Sequence, residues 1–128
     1  MTPGGQPLVS HNFPYVPLTV AVQGGSLTIE ALLDTGFDGE LDTGFDGEIV
    51  VPQYTFSPLL RSDYELEWAL AGGIVVLAPA YVGTVVIGHF GPFNVAVVSM
   101  GNEALIGRAL TDLFTITFDH GKQVIVTP

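Results

Sequence analysis

Cysteine is absent from the 128 residues, which removes disulfide frameworks, thiol nucleophiles and cysteine-based metal sites together. Cations are almost as scarce: Arg61, Arg108 and Lys122 stand against 13 acids, for a net charge of −10. So few cations cannot neutralise a run of phosphates, and nucleic acid is excluded as a partner. Charged residues of both signs make up only 12% against 48% hydrophobic, a balance that rules out a disordered chain. The opening MTPGGQPLVSHNF has neither a basic cluster nor a long apolar run. No signal peptide is expected, and a cytoplasmic location is the expectation. The three histidines, His11, His89 and His120, are far apart and without zinc spacing. No serine has the context of a nucleophile elbow, so neither a metal nor a cofactor is expected.

One charge-free run, Trp68 to Gly88, is nominally long enough to cross a bilayer as a helix. It contains Gly72, Gly73, Pro79, Gly83 and Gly88, and its apolar residues are mostly β-branched valines. Two paired strands and a turn account for that composition, and no membrane partner is expected.

What the chain does have is Val, Ile, Thr and Phe in short runs, with 16 glycines and 9 prolines between them. The length suits one domain, 1–128, and the composition suits an all-β fold. Residues 1–13, with Pro3, Gly4, Gly5 and Pro7, read as a loose arm. Tyr15–Val22 reads as a strand, Gln23–Gly25 as a turn and Ser26–Leu33 as the returning strand. There Leu27, Ile29, Ala31 and Leu33 alternate with Thr28 and Glu30. Ile49–Val51 is a short strand stopped by Pro52, and Gln53–Leu60 is irregular. Tyr64–Leu70 and Ile74–Ile87 form a hairpin across Ala71–Gly73, and Phe93–Ser99 is a further strand. Arg108–Leu113 has helical spacing, and Phe114–Phe118 pairs with Gln123–Val126 across a turn.

The most unusual stretch is Leu33–Glu48, in which LDTGFDGE occurs twice in succession. Each copy carries Asp-Thr-Gly, at Asp34-Thr35-Gly36 and at Asp42-Thr43-Gly44. An aspartate at the end of a buried strand is costly unless its charge is used or shared. Two such loops facing each other, with carboxyls about 3 Å apart, cannot both ionise and share a proton. The ionised member can then deprotonate a water while the protonated one polarises a carbonyl.

Leu32-Leu33-Asp34-Thr35-Gly36 resembles the catalytic motif of the retroviral-type (retropepsin-like) aspartic proteases. Leu105-Ile106-Gly107-Arg108, followed by Leu110 and a helical pattern, is similar to that family's second motif. The order of elements over roughly residues 15 to 127 fits as well, and the likeness is closest to the small single-domain bacterial members. The resemblance implies a closed β-barrel with a flap hairpin and one short C-terminal helix. It implies an aspartic endopeptidase acting as a homodimer on peptide or protein substrates, with one catalytic aspartate per chain. Asp34 would be the catalytic carboxylate, Thr35 would brace the paired loops, and Gly36 would approach the substrate backbone. Asp38 would face substrate and pair with Arg108, and Ala71, Gly72 and Gly73 would form the flap tip over the peptide. A non-catalytic β-domain of the same fold, serving dimerisation or peptide binding, is the alternative.

The second copy does not complete a two-lobed enzyme, because each lobe would need its own apolar-apolar-Gly segment and only Leu105-Ile106-Gly107 is present. Asp34 has the strand entry and is the favoured catalytic residue. Asp42, with Thr43 and Gly44, is the alternate register, because Phe45–Glu48 leads directly into Ile49–Val51. The spacing also invites a calcium loop. Counting from Asp34, positions 3 and 12 are Gly36 and Phe45; from Asp42 they are Gly44 and Gln53. Both fail as ligands.

Overall fold

A computed structural model of the chain describes residues 6–33, 49–57, 59–69 and 72–128. The fold is all-β, with one helix of a single turn among the described residues. In chain order the elements are β1 (Leu8–Ser10), β2 (Tyr15–Val22), β3 (Gly25–Leu33), β4 (Ile49–Val51), β5 (Tyr64–Ala69) and β6 (Val75–Ile87). There follow β7 (Phe90–Ser99), β8 (Leu105–Ile106), α1 (Arg108–Thr111), β9 (Thr115–Asp119) and β10 (Gln123–Thr127).

The alternation legible in the sequence is the alternation of burial. Along β2, Val16, Leu18, Val20 and Val22 are buried while their neighbours are half-exposed. Along β3, Ala31 and Leu33 are buried and Thr28 and Glu30 are exposed. The two strands pair antiparallel from Tyr15↔Leu32 to Val22↔Gly25. By contrast β4 is buried at all three positions, as a strand covered on both faces must be. Ile49 and Val51 belong to the larger core and Val50 to a smaller cluster with Ala78, Ala80 and Val98.

The large sheet runs β2-β3-β8-β4-β7-β6-β5. Strand β2 also pairs with β6, from Leu18↔Ile87 to Val22↔Gly83, so the pairings lead back to the strand from which they began. Most neighbours are antiparallel, but β3–β8 and β4–β7 are parallel. The second sheet has the order β1-β10-β9.

Among the strands, two boundaries differ from the sequence reading by more than one residue. Part of the expected loose arm, Leu8–Ser10, is a strand registered against Val124–Val126. Ser10 is buried there, and its hydroxyl donates to the Tyr15 carbonyl at 2.5 Å. Strand β7 starts at Phe90 instead of Phe93, because Phe90 pairs back onto Ile87 across a tight turn at Gly88-His89. Among the described residues no helix is long and apolar enough to cross a membrane.

Candidate active site

Strand β3 ends on Leu33, the last residue before the first Asp-Thr-Gly, and β4 opens on Ile49, the first residue after the second copy. These two ends are not hydrogen-bonded to each other. Strand β8 lies between them: Leu33 registers with Ile106 on one side, parallel, and Ile49 registers with the same Ile106 on the other, antiparallel. The chain therefore leaves the sheet and re-enters it at one end, about 10 Å apart, which is two strand spacings. At that end β8 gives way to Gly107 and Arg108. The Leu32 N–H donates to the Ala104 carbonyl at 2.8 Å and holds the run-in of β8 against β3.

Leu32-Leu33 of the first motif and Leu105-Ile106 of the second, far apart in sequence, are thus adjacent in space. Leu33, Ile49 and Ile106 are all buried in the larger core, so the rim of the duplicated stretch is anchored by apolar side chains. Asp34, Thr35, Gly36, Asp38, Asp42, Thr43 and Gly44 themselves lie outside the described residues, as does Ala71.

Arg108 opens α1. The Gly107 backbone is extended (φ −86°, ψ 177°), with no side-chain cap, and its carbonyl accepts from the N–H groups of Leu110 and Thr111. The helix is shorter than the expected Arg108–Leu113, because the Leu113 and Phe114 N–H groups bond three residues back, to Leu110 and Thr111. That is the tighter 3₁₀ pattern, common at helix ends. The Arg108 guanidinium lies 3.7 Å from the Asp112 carboxylate, with both side chains more than half exposed. A pair of that kind contributes at most about 1 kcal/mol, so Arg108 is not committed to it.

The flap expectation falls on β5 and β6, which pair from Tyr64↔Ala80 to Ala69↔Val75. Gly72 and Gly73 lie in the turn with φ of +88° and +82°, a region costly for side chains. Nothing lies within 4 Å of where a Cβ would project at either, so no close backbone approach demands glycine there and the positive φ does. Sequence reasoning missed Ile74, Val75 and Leu77 as contact candidates, although each is more than half exposed. An apolar strand pattern does not say which residues find a partner. No group of three or more potential metal ligands occurs among the described residues.

The chain matches no protein-family model and no curated protein.

Proposed function

We propose that the protein is an aspartic endopeptidase of retropepsin-like architecture, active as a homodimer. The observation that carries this reading is the placement of β8 between β3 and β4, which brings Leu105-Ile106-Gly107-Arg108 to the two ends of the Asp-Thr-Gly stretch. Two further features support it. The return of the sheet onto β2 through β6 is compatible with a closed barrel, and a hairpin with a glycine tip is compatible with a flap.

In this mechanism Asp34 of each subunit meets its counterpart across a two-fold axis, and the two carboxyls share one proton because both cannot ionise at such separation. The ionised carboxylate takes a proton from the bound water as its oxygen attacks the scissile carbonyl carbon. The protonated carboxyl hydrogen-bonds the carbonyl oxygen and gives up its proton as negative charge develops there. Collapse of the tetrahedral intermediate breaks the C–N bond: the leaving nitrogen takes a proton from one carboxyl while a hydroxyl of the intermediate returns a proton to the other, which restores the singly protonated pair. No metal and no covalent intermediate take part.

The deciding experiment is proteolysis of an unfolded protein substrate at mildly acidic pH. Asp34→Asn is expected to abolish cleavage and Asp42→Asn to leave it. The reverse result would move the catalytic role to Asp42, whereas cleavage surviving both changes, or absent from the wild type, would overturn the proposal.

A further inference from the structure

Strands β6 and β7 run together only as far as the rung Ala80↔Val98. Past it β6 continues against β5 down to Val75. Strand β7 continues beside β4, where Met100 N–H donates to the Val51 carbonyl and Gln53 N–H to the Gly101 carbonyl, both at 2.8 Å. Two strands that part in this way leave a fork, and this one holds a cavity of about 870 Å³. One wall is four consecutive residues of β6, Val76 to Pro79. Successive side chains of a strand point to opposite faces, so the cavity meets β6 along its edge.

That edge is open among the described residues. Backbone groups of successive residues in an antiparallel strand point to opposite sides. The Ala80 carbonyl accepts from Asp63 N–H (2.9 Å) and the Val82 N–H donates to the Asp63 carboxylate (2.8 Å), both on the β5 side. Odd-numbered residues therefore point the other way. The Leu77 N–H and carbonyl face the fork, where no described strand is paired with them. Pro79 has the same orientation, as befits a residue with no N–H to leave unbonded at an edge.

The lining is mostly apolar and includes Phe56, Leu60 and Met100 besides Leu77. At the rim Tyr54 is 90% exposed and held at φ +66°, an uncommon conformation for an aromatic residue. Charge is supplied from the far side of β6: Glu65 and Glu67 pair directly with Pro79 and Leu77 and so share their face. Both are exposed and neither has an ion-pair partner among the described residues. A strand placed in the fork would lie about 10 Å from them, within reach of a long basic side chain laid over Leu77.

We propose that the fork is a docking groove for an extended peptide with alternating apolar and basic side chains, which joins the free edge of β6 as an added strand. The backbone of Leu77 supplies the hydrogen bonds and the apolar lining takes alternate side chains. Glu65 and Glu67 select for lysine or arginine, and the chain's net charge of −10 draws such a peptide in. No described residue of β3, β4 or β8 lines the cavity, whereas β6 is also a strand of the hairpin proposed above as the flap.

The test is a fluorescence anisotropy titration of labelled short peptides against the Asp34→Asn/Asp42→Asn chain, in which the probe cannot be cut by the proposed chemistry. A peptide of alternating Lys and Leu is expected to bind about tenfold more tightly than its backbone N-methylated form, which lacks the donors for a strand. It is expected to bind about tenfold more tightly than a Glu/Leu peptide, an advantage that shrinks in high salt. Leu77→Pro removes the outward N–H at the orientation Pro79 already occupies and should weaken binding about tenfold. If that variant does not fold, Tyr54→Ala, at an exposed side chain, should weaken binding instead. Glu65→Gln/Glu67→Gln should close the gap between the Lys/Leu and Glu/Leu peptides. Equal binding of the N-methylated peptide, or full affinity in both the Leu77→Pro and Tyr54→Ala chains, would overturn strand addition. A gap that persists in the glutamine variant would overturn the basic preference. Cleavage failing while this binding persists would count against the peptidase reading alone.

Discussion

Gly83 has no room for a side chain. A Cβ there would stand 2.3 Å from the Ala21 carbonyl oxygen and 2.9 Å from a Val22 methyl, across the contact where β6 meets β2. The first obstacle is backbone and cannot rotate away, so Gly83→Ala is expected to destabilise the fold by about 1–3 kcal/mol, measured by urea unfolding. Tyr15 makes a different kind of point. Its hydroxyl donates to the Glu103 carboxylate, tying the start of β2 to the residues that lead into β8. That hydrogen bond, and then the negative charge of Glu103, raise the phenol's pKa above its ordinary value. The folded state therefore holds this proton more tightly than the unfolded state. The stabilisation is present below the ordinary phenol range of about pH 10 and is lost as pH rises through the raised pKa. Thermal melts of Tyr15→Phe across the alkaline range should accordingly show a shallower decline than the wild type, with the variant less stable at neutral pH.

Among the elements, the two-residue β8 has consequences out of proportion to its length. Ile106 is fully buried and registers with both Leu33 and Ile49. Ile106→Ala would open a cavity between the entry and exit of the Asp-Thr-Gly stretch, at a cost of about 2–5 kcal/mol. Cleavage should fall together with the melting temperature; activity unchanged in a destabilised variant would detach β8 from the site. The hairpin of β5 and β6 is the opposite case. Nothing lies within 4 Å of a Cβ added at Gly72 or Gly73 in its turn, and these glycines take up a positive φ and not a contact.

For the whole molecule, the proposed chemistry places half a site in each chain. Specific activity should then fall on dilution, as dimers dissociate, and parallel the dimer fraction from analytical ultracentrifugation. Constant specific activity through that transition would rule out a shared site.

Much of the architecture was open to sequence reading. The alternation in β2 and β3, the solid apolar run of β4 and the glycine turn between β5 and β6 are local patterns, and burial followed them. Strand β1 escaped notice because Leu8-Val9-Ser10 is too short to show a period, and only its pairing with β10 makes it a strand. The fork between β6 and β7 escaped notice because nothing in Val75–Ala80 distinguishes an edge with a neighbour from one without. The duplicated triplet named the candidate catalytic residues, and β8 was visible as a motif with no indication of its neighbours.

The sequence by itself determined that this is a β protein, where its strands turn, and that Asp-Thr-Gly stands between an apolar entry and an apolar exit. These follow from the period of side chains along a strand, a property of adjacent residues. Only the tertiary structure decided that β8 separates β3 from β4 and that β6 returns to β2. Backbone hydrogen-bonding groups are the same on every strand. Which edges meet depends on which apolar faces cover one another across the whole molecule, and no local window of sequence contains that.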